Sequence, residues 1–158
     1  MSRLNYTQLS EPAAKALFAL EHAVKSLGFD PRLSDLVRIR VSQLNGCLLC
    51  IDMHSKEATI HEERPLRLYH LTAWRESPLF TAREKAALAW AELLTRPSEH
   101  GVTDEDYARA REHFSEKELS DLTFVVTTIN AWNRLGVAFR AAPGSYDKML
   151  GLDRANLR

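Results

Sequence analysis

The stretch Asn45-Gly46-Cys47-Leu48-Leu49-Cys50-Ile51-Asp52-Met53-His54 contains both cysteines of the chain and a histidine. Asn45-Gly46 is a turn signal, because both residue types tolerate the left-handed backbone that reverses a chain. If a helix restarts at Cys47, Cys50 lies three residues on and His54 four beyond it. At about 100° per residue all three then share one stripe. The first turn of a helix presents unpaired N–H groups and the positive end of its dipole, which stabilise a thiolate. A thiol pair and an imidazole would face the same volume.

Upstream, Asp35-Leu36-Val37-Arg38-Ile39-Arg40-Val41 alternates apolar residues, several of them β-branched, with arginines, a pattern that suits a strand over a short run. Ser34 as an N-cap, and continuation of the pattern to Leu44, favour a helix with Leu36, Val37, Ile39, Val41 and Leu44 largely buried. Glu11 to Gly28 reads as an earlier helix, with Pro12 in its first turn, Ala and Leu in its body and Gly28 as its C-cap. Phe18, Val24 and Leu27 form its apolar face, and His22 reads as a surface side chain.

Downstream, the helix carrying His54 runs to about His61, and Pro65 to Thr72 forms a short segment. Trp74 to Phe80, which includes Ser77-Pro78, is expected as a loop or lid. Thr81-Ala82-Arg83-Glu84 is a capping box that opens an Ala-rich helix to about Thr95. Thr103-Asp104-Glu105-Asp106 caps another to about His113, and Ser115-Glu116-Lys117-Glu118 repeats the capping logic before Leu119 to Phe139. That last segment is apolar around more than one face, as in a central or interface helix. The expectation is an all-α fold of roughly six to eight helices. Its 158 residues suit a single domain over 1–158.

Lys+Arg and Asp+Glu are both 21, so the chain has neither the basic surface of a nucleic-acid binder nor an acidic tail. No stretch holds the roughly 20 uninterrupted apolar residues of a membrane span, and the amino-terminal residues lack a signal-peptide core. The expected compartment is the cytoplasm. There a cysteine pair separated by two residues is a poor staple, because so short a loop removes little unfolded-state entropy. Three readings of Cys47, Cys50 and His54 remain open on the residues themselves. Two thiolates and one imidazole could ligate zinc, although the chain offers no further cysteine. Both thiols could pack as small hydrophobes. Or the pair could cycle, since Cα atoms at i and i+3 of a helix lie ~5 Å apart, within disulfide range. On that reading Cys50 attacks, with His54 one turn beyond to take its proton, and Cys47 resolves; the opposite order is also open.

The run from Asp35 to Ala58, an acidic residue, eleven intervening residues and then Cys-x-x-Cys-x-x-x-His, resembles the core motif of the AhpD-like alkylhydroperoxidases of the carboxymuconolactone decarboxylase superfamily. Thr81 to Thr95 and Ile129-Asn130-Ala131-Trp132-Asn133-Arg134 are similar to the family's downstream helices, so the likeness covers most of the chain. The resemblance implies an AhpD-like helical fold that assembles into homo-oligomers, commonly trimers or hexamers, and an antioxidant peroxidase cycle without haem, metal or other cofactor. Cys50 would reduce an organic hydroperoxide or hydrogen peroxide through a sulfenic acid, Cys47 would close a disulfide, and a cellular dithiol would reopen it. His54 and Asp35 would form the proton relay, Asp35 standing where the family usually has Glu. Glu57, on the same stripe as His54, is placed to orient the imidazole, although the ordinary reading of such a residue is a solvated carboxylate. The superfamily also contains lactone decarboxylases, so an enzyme acting on a small lactone or acid is the alternative. A redox-sensing oligomer without turnover is a third reading.

Overall fold

The computed structural model describes residues 2–157, and its described residues form helices and turns with no strand beyond one isolated bridge between Ser98 and Gly101. Among the described residues nine α-helices follow in chain order: α1 (Tyr6–Leu9), α2 (Glu11–Lys25), α3 (Pro31–Asn45), α4 (Leu48–Ile60), α5 (Pro65–His70), α6 (Ala82–Thr95), α7 (Asp104–Arg111), α8 (Glu116–Phe139) and α9 (Asp147–Leu150). Short 3-10 turns occupy Leu71–Ala73 and Leu152–Ala155. α1 and α9 are single turns of four residues, too short for periodicity to reveal; six of the others are the helices expected from the sequence, and α5 with the 3-10 turn after it occupies the short segment expected from Pro65 to Thr72. No described helix is long and apolar enough to cross a membrane.

All three capping motifs form as reciprocal boxes: Thr81 with Glu84, Thr103 with Asp106 and Ser115 with Glu118. The backbone and hydroxyl of Ser115 hold the Glu118 carboxyl down at about 2. Two helix boundaries differ from expectation. α3 begins before Ser34, because Asp30 is its N-cap, accepting from Arg32 N at 3.0 Å, and Pro31 sits at its first position. Ser34 lies inside the helix and accepts from Arg38 Nε at 3.2 Å. α2 ends at Lys25 with Ser26 as its cap, so Gly28 (φ 76) belongs to the following turn rather than to the helix end.

α3 is the central helix, and its strand-like alternation has a packing cause. Val37 and Val41 face one buried cluster with residues of α4, α6 and α8; Leu36 and Ile39 face a second with Ala58, Leu71, Trp74, Phe80 and Leu88. The two arginines between them are anchored by carboxylates, Arg38 Nη1 to Glu21 at 3.0 Å and Arg40 Nε to Glu92 at 2.6 Å. A helix apolar on two sides, with paired cations between, mimics a period of two over seven residues. Burying each of Leu36, Val37 and Ile39 contributes about 1.5–3 kcal/mol. Val125 to Ile129, β-favouring in isolation, is helical because it completes α8 against this core.

The segment Trp74–Phe80 is a loop but not a lid: Trp74, Ser77 and Phe80 are buried, and Trp74 Nε1 donates to Glu92 at 2.9 Å. On α2 only Val24 of the expected apolar face is buried; Phe18 lies half exposed against the Trp132 ring, 4.9 Å between centroids.

Candidate active site

Gly46, in the left-handed region at φ 69, ends α3, and Cys47 is the N-cap of α4. The turn is bolted to α8 by an amide cluster. Asn45 Nδ2 donates to the side-chain oxygens of Asn130 (2.8 Å) and Asn133 (2.9 Å), Asn45 Oδ1 accepts from Arg134 Nη1 (2.7 Å), and Asn133 Nδ2 donates to Ser42 Oγ (3.1 Å). Asn133 and Ser42 are fully buried, so losing a partner there would strand a desolvated polar group, at about 1–3 kcal/mol. The sequence Ile129 to Arg134 thus acts as the clamp that fixes where α4 begins.

Cys47 and Cys50 are joined as a disulfide with Cα atoms 5.3 Å apart, and both are buried. Behind them α8 passes at Gly136, where an added Cβ would stand 2.5 Å from Cys47 Sγ and 3.4 Å from Cys50 Sγ. Only a residue without a side chain lets α8 approach the sulfurs this closely. One turn on, His54 is buried, and its Nδ1 lies 2.6 Å from Glu57 Oε2. Glu57 Oε1 accepts from Lys25 Nζ at 3.1 Å. Burial pushes the Glu57 carboxyl up, but the hydrogen bond and charge of His54, with Lys25, outweigh it and hold the group well below the usual carboxylate range. Glu21 extends the chain of polar groups, accepting from Arg38 Nη1 at 3.2 Å and from Trp132 Nε1 at 3.1 Å.

A cavity of about 150 Å³ opens against Cys50, His54 and Glu57. Phe18, Met53, Trp132, Tyr146, Met149 and Leu150 give it a mainly apolar wall. Cys47 does not line it, so of the pair it is Cys50 that meets the cavity. Tyr6 also lines it, and burial, with the adjacent Tyr146 hydroxyl, pushes the Tyr6 phenol up to about 12.

Of the four residues singled out from the sequence, Cys47, Cys50 and His54 come together. Asp35 does not join them: its Oδ2 lies 2.6 Å from His61 Nδ1, and it opens onto an adjacent cavity of about 300 Å³. The reason is helical arithmetic. α3 and α4 run antiparallel from the turn at Gly46, so a residue twelve before Cys47, some 18 Å along α3, meets the far end of α4 rather than His54. Asp35 is buried, and that burial raises its carboxyl to about 6 against the opposing pull of His61, with the Glu57 charge adding to the rise. Glu57 occupies the place at the imidazole expected for Asp35. From the sequence Glu57 reads first as a solvated carboxylate, and Gly136, Glu21 and Tyr146 do not stand out as site residues. An isolated glycine within a long helix was the available signal for Gly136. Among the described residues no three His, Cys, Asp or Glu side chains are grouped as a metal ion would need.

An all-helical fold with a Cys-x-x-Cys disulfide at the head of one helix and a histidine one turn later defines a narrow class of helical proteins. Residues 11–93 match the carboxymuconolactone decarboxylase family, and the chain belongs to it, on its AhpD-like branch. It is 38% identical over 136 residues to the uncharacterized protein YdfG of Bacillus subtilis (strain 168), covering 86% of this chain and 92% of that one. Among solved structures it is similar to a protein of unknown function from Agrobacterium tumefaciens described as a candidate antioxidant defence protein AhpD, with TM-score 0.86 and 38% identity over 90% of this chain and 98% of the other. The debrominase Bmp8 shares the fold at 20% identity, with TM-score 0.75 over 94% of this chain and 80% of that one.

Proposed function

We propose that the protein is a thiol-dependent hydroperoxide reductase. The observation that carries this reading is Cys50 lining an apolar cavity beside a buried imidazole, with Cys47 already bonded to it. In the reduced protein His54 takes the Cys50 proton, and the thiolate attacks the outer oxygen of a hydroperoxide. The O–O bond breaks, an alcohol leaves with a proton returned through His54, and Cys50 becomes a sulfenic acid. Cys47 then attacks the Cys50 sulfur, water leaves, and the disulfide forms; an external dithiol restores both thiols with two electrons and two protons. Glu57 anchors the imidazole in this cycle, with Lys25, which Glu21 also holds at 3.8 Å, fixing Glu57 in turn. Asp35 contributes from behind, through its charge on Glu57 and His54.

An apolar wall favours organic hydroperoxides over hydrogen peroxide, because an alkyl or aryl group leaves water on binding. Assembly into trimers or hexamers is part of the same reading: Leu48, beside the dithiol, is 65% exposed and Phe124 on α8 is 49% exposed, apolar surface that a partner copy would cover. Cumene hydroperoxide with dithiothreitol in excess tests the cycle. The protein consumes peroxide over many turnovers and Cys50→Ser abolishes this; full turnover by Cys50→Ser would sink the assignment.

A further inference from the structure

The chain that follows α8 forms one wall of the dithiol cavity. Residues 144–151 cross it as a strap that carries α9 and lines the cavity with Tyr146, Met149 and Leu150. Both ends of the strap are glycines in the left-handed region, Gly144 (φ 76) and Gly151 (φ 68). Such a pair lets a short segment pivot without distorting the helices on either side. Just beyond, Leu152 is buried and pins the chain's continuation.

One buried cation latches the strap. Lys56 on α4 is 6% exposed, and its Nζ donates at 2.8 Å to Asp52 Oδ2 of its own helix and at 2.8 Å to Asp147 Oδ2 of the strap. Asp52 Oδ2 also accepts from Gly144 N at 3.0 Å, so the carboxylate holds the first hinge as well. The hydrogen bonds it donates to Asp147 and then Asp52 keep Lys56 above the usual lysine range, charged throughout the physiological span. A lysine desolvated to this degree is kept only by both partners, and removing either loosens the tie between α4 and the strap.

Cys47 is 1% and Cys50 5% exposed. Thiol–disulfide exchange needs a sulfur to reach the attacked sulfur along the S–S axis, and the closed strap denies that approach to anything larger than the cavity. We propose that residues 144–151, latched by Lys56 between Asp52 and Asp147, form the gate that decides which dithiols reopen the Cys47–Cys50 disulfide. The proposal rests on the dithiol cycle above for its purpose, though its physical content is access alone. With the strap open, one thiolate of the reductant bonds to Cys50 Sγ, the Cys47–Cys50 bond breaks, and Cys47 leaves as a thiolate that takes a proton. The reductant's second thiolate then displaces Cys50, leaving the reductant as a disulfide and the protein as a dithiol.

The test uses the full oxidised chain, with dithiothreitol as a small reductant and reduced thioredoxin as a protein-sized one, and follows thiol release by mass. Lys56→Met and Asp147→Asn each raise the rate with dithiothreitol by about tenfold or more, and raise the rate with thioredoxin further, because access follows the population of the locally opened state. Circular dichroism verifies that the helices persist. If Lys56→Met does not fold, Asp147→Asn, whose side chain is 20% exposed, decides alone. Rates within about twofold of the parent in a folded variant overturn the gate. A parent that consumes no cumene hydroperoxide, while the variants still reduce faster, removes the peroxidase cycle and leaves the gate in place.

Discussion

Replacing Asp35 with Asn removes a buried carboxylate while keeping its shape and an oxygen that can accept from His61 Nδ1. Asp35 is 4% exposed and its carboxyl is raised from the ordinary 3.8 to about 6, chiefly by burial. That gap corresponds to about 3 kcal/mol. Below pH 3.8 the group is protonated in the folded and the unfolded chain alike. As pH rises toward 6 the unfolded chain ionises it while the folded protein retains the proton, so the native state loses stability across this window and the loss levels off above it. Asparagine has no such window. Urea denaturation of both proteins at pH 4 and pH 8 therefore shows the Asp35→Asn variant gaining on the parent by about 2–3 kcal/mol at the higher pH. A difference that stays constant between the two pH values, or favours the parent at pH 8, would refute the argument that burial governs this group. The same variant separates two roles. Because Asp35 is bonded to His61 and not to His54, peroxide turnover falls by less than about tenfold. A loss of a hundredfold or more would return Asp35 to the proton chain expected from the resemblance.

Two further substitutions probe the dithiol directly. Gly136→Ala places a Cβ 2.5 Å from Cys47 Sγ in the closed disulfide, whereas a reduced thiol can rotate away. Overpacking of about 1–3 kcal/mol on the oxidised form alone makes the pair more oxidising by about 20–60 mV, read by equilibration with a thiol redox buffer; an unchanged or lower potential contradicts the contact. Glu57→Gln removes a carboxyl held well below its ordinary 4.5, whose stabilisation is present above that pH and is lost as the folded protein is acidified. The variant accordingly shows a shallower loss of stability below pH 4.5, and its turnover falls by about tenfold or more; a parental acid limb with parental turnover shows that Glu57 anchors nothing.

Much of this architecture was legible because local signals agreed. Three capping boxes, Pro65 at the head of its segment and the Asn45-Gly46 turn act within a few residues, so the sequence around each suffices. At the start of α3 Ser34 is a local cap signal, but Asp30-Pro31 is the stronger one, a pair that satisfies a free N–H and supplies a residue that lacks one. What the sequence could not disclose was assembled by tertiary contact. The strap reaches Lys56 from 91 residues away, and Trp132 meets Glu21 from 111 away. Neither has a spacing that marks it. The disulfide spacing and the His54 stripe were readable for the opposite reason, since one helix turn sets both.

Which acid serves His54 is set by electrostatics that motif spacing does not encode. Two carboxylates stand near the imidazole, and their environments drive them apart: Glu57 is held ionised by His54 and Lys25, while Asp35 keeps its proton to about pH 6, in part because Glu57 is already charged. Two like charges in one buried neighbourhood do not both form cheaply, so the negative charge goes to the group with more partners. Glu57 has two hydrogen-bond partners, the His54 ring and the Lys25 ammonium, and Asp35 has His61. Motif spacing identifies which acids are near a site; the order in which they ionise is fixed by the hydrogen bonds each receives, and here that order makes Glu57 the anion that faces His54.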